Sequence, residues 1–503
     1  MGSLARWARA NAGTLALLGA VACLLVLLTA ADSHLGLYRH ASNRYRFHAI
    51  PVAVSQLHHG HAHDYTAYRA LAHGFHDGAR DLDEQIREAI ARDPGADTYF
   101  WVADDRGLAD YVSAAFVLFG AEVRSLSHFW FLLLGSSVVL FAVGFQTRPA
   151  LLALPVLVLF GLLVLAEAVA HREQIPFDRR VWQENVALYE SRLFDALALV
   201  AVLHLGLVAA GRANRAALLT AIPQVALFVF LYHCRSSLGW QVVALSAIVA
   251  GRVGWCLMRK RPWELAAPLA VGALLALSLV GLKCYQRATY HPAYFAEQGP
   301  RTFWHNALMG LSHHPRLCAE LPMRQCEDRD AIDLVLKRME EADPALDRNQ
   351  WNWMAALNSL GSHNEFDWVG YEAAARAIYF DLWRTRPREM LACHAVHKPL
   401  AVAKQSVAVV RVAGRAWELI VGLAVVASVG FGLVRAGRRN EHVRADVRRA
   451  SLLVLGLLPF ALIPAVAFYP AVTTTAGFFV AGVALAGLIA VQVAWQFTGR
   501  IPA

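Results

Sequence analysis

Residues 129–170 read FWFLLLGSSVVLFAVGFQTRPALLALPVLVLFGLLVLAEAVA. Two apolar runs, near 127–145 and 149–170, are separated by a turn holding Gln146, Thr147 and Arg148. Each run has about the 20 residues that a helix needs to cross a hydrocarbon core about 30 Å thick. Charges inside such runs are expensive, and Glu167 is the exception within this pair. The stretch therefore predicts a hairpin of membrane spans. Eight further runs follow the same pattern, near 13–31, 193–210, 216–233, 239–258, 264–282, 416–435, 450–468 and 474–495. The fold class expected is an all-α polytopic membrane protein of about ten transmembrane helices.

Two long polar segments interrupt the runs and divide the chain. Residues 1–31 hold the first span, 32–126 a first polar segment, and 127–282 a six-helix core. Residues 283–414 form a second polar segment, and 415–503 hold three closing spans. With 57% hydrophobic and 17% charged residues in 503, the chain is too apolar for one soluble domain. It is also too interrupted for a bare helical bundle.

Short-loop arginines and lysines set the orientation. Arg6, Arg9, Arg148, Arg212, Arg215, Arg259, Lys260, Arg261, the arginines of 436–449 and Arg500 all fall on one side of a ten-span chain. That side is expected to be cytoplasmic, with both termini on it and the long segments in the periplasm of a bacterial inner membrane. Loop 171–192 dissents, but its Arg172, Arg179, Arg180 and Arg192 are mixed with Glu173, Asp178, Glu184 and Glu190. The formal charge of +9 is spread over these loops, so no nucleic-acid partner is expected. LTAADS after the first span looks like a cleavage region, yet the apolar core from Thr14 to Ala31 is longer than a signal peptide's and reads as an anchor. Of seven cysteines, Cys318, Cys326 and Cys393 lie in the second polar segment, where a Cys318–Cys326 bridge and free thiols are both open.

The polar segments are expected to be mostly helical. DYTAYRALAHGFHDGARDLDEQIREAIARD (64–93) carries acid and base in a helix-period pattern that Pro94 and Gly95 end. DDRGLADYVSAAFVLFG (104–120) predicts a helix lying along the membrane surface. A charged helix is expected near 328–343, and 368–412 is again amphipathic.

Several constellations could carry chemistry. TYFWVADDRGLADY (98–111) sets Asp104 beside Asp105, and adjacent carboxylates either bind a cation or hydroxyl or leave one with a raised pKa, suited to a general base. A helix N-cap is the structural alternative. Asp32, just past the first span, is a further carboxylate. QLHHGHAHDY offers His58, His59, His61, His63 and Asp64, which resemble a metal tract but read better as a polar surface loop. Arg235, in YHCRSSLGWQ, sits at an outer helix end where a lipid phosphate or simple snorkelling would account for it. GPRTFWHNALMGLSHHP gathers Arg301, Trp304, His305, Asn306, His313 and His314: phosphate donors, a ring for a sugar face, and groups that titrate near neutrality. Asp367, Trp368, Arg384, Arg386, Arg388, His394 and Lys398 read as interfacial anchoring or a headgroup site. No GxGxxG, P-loop, GxSxG or HExxH occurs, so nucleotide hydrolysis, Rossmann chemistry and zinc proteolysis lack support.

This plan of a first span, an acidic outer loop, a compact group of spans and a second large loop after the seventh resembles the GT-C class of integral-membrane glycosyltransferases. The local likeness is FVLFGAEVRSLSHFWFLLLGSSVVLF (116–141), similar to the class segment that leads from the first outer loop into the second span. The resemblance implies a polyprenyl-phosphate sugar donor and a carboxylate base in the first outer loop, here Asp104 or Asp105, with Asp32 in reserve. The Asp pair stands nearer the second span than the class's acids, and three spans replace a C-terminal soluble domain. A second resemblance is to O-antigen ligases and polymerases. CRSSLGW is similar to their arginine motif and Arg301 with HNALMGL to their histidine motif, which implies pyrophosphate binding by Arg235 and Arg301 and an acceptor role for His305.

Both resemblances imply transfer of a sugar from a polyprenyl-(pyro)phosphate donor to a glycan, lipid or protein acceptor at the periplasmic face. Trp304, Asn306, Trp351 and Trp353 are the expected sugar or acceptor contacts. A lipid phosphate leaves readily, so no metal site is expected; a divalent cation is the one candidate cofactor. A lipid or polysaccharide flippase would place ionisable residues near the midplane and show related halves, whereas the spans here are nearly free of charge. A scaffold for envelope assembly is the non-catalytic alternative.

Overall fold

The computed structural model describes residues 12–35, 45, 49–60, 66–68, 81–93, 98–100, 107–171, 188–212, 214–290, 303–324, 328–346, 368–414 and 416–498. Ten of its helices are long and apolar enough to cross a membrane: Gly13–Leu35, Arg124–Gly144, Pro149–Ala170, Phe194–Gly211, Arg215–Cys234, Ser236–Met258, Ala266–Thr289, Trp417–Arg439, Glu441–Ala467 and Thr474–Phe497. These match the ten apolar runs of the sequence. The seventh helix continues past the expected end at 282 to Thr289 and so carries Lys283 and Gln286.

The third and fourth spans form the centre, each 89% buried within the protein, while the sixth, seventh and eighth are only 22%, 17% and 17% buried. The third span is apolar on every face but for Glu167, so it can be enclosed by other helices. Glycines let the central helices approach closely. Gly161 packs on Val480 of the tenth span, Gly487 on Leu157 of the third, and Gly206 on Leu453 of the ninth.

Hydrogen bonds between Ser127 and Asp32, His233 and Asp110, Gln286 and His233, and Tyr111 and Leu126 bring the adjoining ends of the first, second, fifth and seventh spans to one end of the bundle, the loop face. At the opposite end, Asn214 bonds Thr147 (3.1 Å), Asp446 pairs with Arg449 (2.8 Å), and Glu264 pairs with Arg252 and Arg261. The first polar segment contributes helices Ile50–His59, Leu82–Ala91 and Gly107–Phe119. Within a segment expected to be mostly helical it also holds one short pair of strands among the described residues. Thr66–Tyr68 pairs antiparallel with Thr98–Phe100, Ala67 facing Tyr99, so helix within 64–93 is limited, among the described residues, to Leu82–Ala91. Asp81 caps that helix through the amide of Asp83 (3.2 Å), and Asp83 in turn accepts from the amide of Val123 (2.7 Å), tying the segment to the second span.

The second polar segment has its own core, in which Leu308, Leu311, Ile332, Val335, Tyr371 and Met390 meet. Helices Phe303–Met309, Asp328–Ala342 and Trp368–Thr385 enclose it, the middle one matching the charged helix expected at 328–343. From Pro387 to Ala413 the chain is continuously helical, with one π-helical turn at Cys393–His397. This module grips the end of the ninth span. Lys398 Nζ and His394 Nδ1 both bond the carbonyl of Val466 (3.0 and 2.8 Å), and Gln405 Nε2 bonds that of Pro470 (3.1 Å). A helix C-terminus exposes unpaired carbonyls and partial negative charge, and a buried ammonium answers both. Phe303 packs edge-on against Phe468, and Gly310 lies so close to the Phe468 carbonyl that a β-carbon has no room. Cys318 is a free thiol that donates to Met323 O (2.7 Å); Cys326 lies outside the described residues.

Candidate functional site

A polar chain runs across the loop face where three helices converge. The Gly107–Phe119 helix lies on the fifth span, and Gly107 touches the His233 backbone so closely that any side chain would collide with it. That contact brings Asp110, one turn on, to the imidazole. His233 Nε2 lies 2.7 Å from Asp110 Oδ2, and Tyr290 OH lies 3.2 Å from the same nitrogen. From the seventh span, Gln286 Nε2 reaches His233 Nδ1 at 3.2 Å, while Lys283 Nζ donates to Gln286 Oε1 at 2.9 Å. The network assigns the tautomer, because an ammonium only donates. Lys283 occupies the amide oxygen, the amide N–H donates to Nδ1, and the ring donates its Nε2 proton to Asp110. The imidazole and carboxylate side chains are 4% and 13% exposed, so the pair is shielded yet reachable.

This pair closes one end of a cavity of about 520 Å³, within the range of about 300–1,000 Å³ usual for small-molecule sites. Asp110, Ser113, Ala114, Val117 and Leu118 line it from the surface helix. Val229, Phe230 and His233 line it from the fifth span, and Leu282 and Tyr285 from the seventh. Val117 and Leu118 are 71% and 57% exposed, so the surface helix presents apolar side chains at the side of the cavity.

Arg235 stands two residues beyond His233. Its extended backbone (φ −151°, ψ 105°) stops the fifth span, and its Nε donates to Ser237 Oγ (3.2 Å). Its charge acts on buried Asp195, which accepts from the amide of Gly477 (3.0 Å) at the head of the tenth span. Gln241 Nε2 secures the Asp195 carbonyl (2.6 Å). Asp32 is 4% exposed, its Oδ2 accepting from Ser127 Oγ (2.6 Å). Tyr111 OH donates to Leu126 O (2.5 Å) and Tyr45 OH to Tyr189 O (2.6 Å). Burial pushes both phenols well above their ordinary range, so they act as neutral donors.

The residues expected from sequence are thus placed apart. Asp32 and Arg235 belong to the membrane bundle, whereas Trp304, His305 and Asn306 belong to the second polar segment. His305 is 2% exposed, its Nδ1 2.8 Å from Tyr371 OH, and its amide and that of Trp304 bond Glu372 (3.2 and 2.7 Å). Trp304 packs on Tyr379 and Phe380. Asp104, Asp105, Arg301, Trp351 and Trp353 lie outside the described residues, as do His61, His63 and Asp64. His58 bonds Ala89 O (2.8 Å) and His59 meets Asp93 (3.3 Å). Among the described residues no three His, Cys, Asp or Glu side chains form a metal-holding group.

Asp110 and His233 were not singled out in the sequence, although both stand inside quoted motifs, three residues after Gly107 and two before Arg235. They are 123 residues apart, and only the packing of the surface helix on the fifth span joins them. No family model, no curated protein and no solved structure matches this chain.

Proposed function

We propose that this protein is a membrane glycosyltransferase that moves a sugar from a polyprenyl-(pyro)phosphate donor to an acceptor at the periplasmic face of a bacterial inner membrane. The observation that carries this reading is the Asp110–His233 pair at the loop-face end of a cavity facing lipid, two residues from Arg235. A lipid-borne substrate reaches such a site from within the bilayer. In the reaction, the acceptor O–H gives its proton to a carboxylate as its oxygen bonds the anomeric carbon. The bond from that carbon to the donor's phosphate oxygen breaks, and the phosphate leaves with the electron pair. Arg235, with Arg301, is assigned to the phosphate, whose growing charge a guanidinium fork stabilises. The proton acceptor is one of Asp104, Asp105 and Asp110, with Asp32 in reserve. Trp304, Asn306, Trp351 and Trp353 are assigned to sugar or acceptor.

The test is transfer by purified protein from radiolabelled polyprenyl-linked sugars, with and without a chelator. Wild type is compared with Asp104→Asn, Asp105→Asn, Asp110→Asn, Arg235→Ala and His305→Ala at matched folded levels. Loss of about a hundredfold or more in one Asp variant and in Arg235→Ala, with His305→Ala active, supports the reading. Loss in His305→Ala with all Asp variants active favours ligase or polymerase chemistry instead. No wild-type transfer from any donor overturns the enzyme reading.

A further inference from the structure

We propose that the turn joining the sixth and seventh spans binds the headgroup phosphate of an anionic phospholipid, with Lys260 and Arg259 on the phosphate and Trp255, Met258 and Trp263 beside the acyl chains. The turn lies at the end of the bundle opposite the loop face, so the inference is independent of the transferase reading.

The backbone here is a helix stop that calls for glycine. Arg261 N bonds Cys256 O (2.9 Å) and Lys260 N bonds Leu257 O (3.1 Å), the paired bonds that end a helix through one residue in left-handed conformation. That residue is Lys260, at φ 53°. Glycine takes this conformation without strain, and lysine does not. The strained position carries an exposed ammonium that has no hydrogen bond or ion pair among the described residues. Arg259 beside it lays its guanidinium over the Trp255 ring, 4.6 Å from the centroid. The acid of the turn, Glu264, is held by Arg252 and Arg261. Arg259 and Lys260 are thus left uncompensated. Cations at a helix end also answer its dipole, but Arg259 and Arg261 do that from ordinary backbone, at φ −85° and −114°.

The surroundings select a lipid over a free anion. Trp263 and Met258 are 73% and 74% exposed, so large apolar side chains flank the cations at the end of a span. Tryptophan in such a place sits at the headgroup level of a bilayer. Charge then selects among lipids. A zwitterionic headgroup brings its own ammonium, which competes for the phosphate and is repelled by Lys260. An anionic headgroup brings none, and cations next to a span attract it.

The test adds phosphatidylglycerol or phosphatidylcholine of matched chains to delipidated full-length protein in detergent and counts bound lipids by native mass spectrometry. The first phosphatidylglycerol is expected to bind at least fivefold tighter than phosphatidylcholine, about fivefold being the contribution of one uncompensated cation. Lys260→Gly removes the ammonium and relaxes the turn. This variant is expected to melt no lower than wild type and to lose about fivefold in phosphatidylglycerol affinity. Arg259→Gln combined with Lys260→Gly is expected to bind the two lipids alike. Arg438→Gln, which removes an exposed cation from the end of the eighth span, is expected to leave the preference unchanged. Equal affinity for the two lipids in wild type, an unchanged preference in Lys260→Gly, or an equal loss in Arg438→Gln overturns the proposal.

Discussion

The ammonium of Lys398, fully buried, sits 3.0 Å from the carbonyl oxygen of Val466 and joins the second polar segment to the end of the ninth span. Replacing Lys398 by Met keeps the bulk and removes the donor, so the Ala467 carbonyl loses the ammonium and that of Val466 keeps His394 alone. Each orphaned buried carbonyl costs about 1–3 kcal/mol. Lys398→Met is therefore expected to lower the thermal midpoint by several degrees and to expose the 387–413 stretch to protease, as limited proteolysis of detergent-solubilised protein would show. A midpoint equal to wild type would mean the cap contributes nothing.

Acid is expected to loosen the same junction. Burial, with Lys398 and His397 nearby, pushes the His313 imidazole down to about 3, and burial with Lys398 pushes His394 down to about 4. In the unfolded chain both titrate near about 6.5. The native state thus binds fewer protons than the unfolded state across this window. The stability held by the neutral rings is complete above about pH 6.5 and is lost as pH falls toward 4 for His394 and 3 for His313. The melting midpoint should be level from about pH 8 to 7 and then decline, and His394→Gln should flatten the upper part of that decline.

Gly107→Ala is expected to separate Asp110 from His233 without touching either. The added methyl collides with the His233 backbone and forces the surface helix away. If the pair acts in transfer, activity should fall at least tenfold, while the protein stays folded and its midpoint drops by no more than an overpacking cost of about 1–3 kcal/mol implies. An alanine variant with full transfer would show that the pair's spacing is immaterial to the reaction.

Gly477→Ala addresses the other carboxylate. Its β-carbon would lie 2.6 Å from Asp195 Oδ2 and 2.9 Å from Trp240 Cζ2, closer than packed atoms tolerate. Overpacking of this kind costs about 1–3 kcal/mol. Thermal unfolding in detergent should show the loss, and Gly482→Ala, at a glycine with open space around it, should show none.

The membrane architecture was legible because a span announces itself by composition alone. Loop-face ends were less so. The apolar rule placed the end of the seventh span at 282, whereas its helix runs on to Thr289 and aims Gln286 at His233. Period reading extended a helix through 64–93 because alternating charge fits a helix, and it missed that Thr66–Tyr68 finds a strand partner 30 residues away. Arg235 was found as a charge at a costly place. Asp110 was not, because a carboxylate in the first turn of a surface helix looks like dipole compensation until the fifth span supplies its imidazole. His305 attracted attention as a neutral-range titrating group, and its bond to Tyr371 and its burial give it a place in the packing of the second segment's core.

The seventh span supplies one wall of the cavity while leaving most of its own surface to the lipid. A wall held from one side only is positioned partly by what presses on the other. The position of that wall is then set jointly by protein and membrane, and a change in bilayer thickness is expected to shift it.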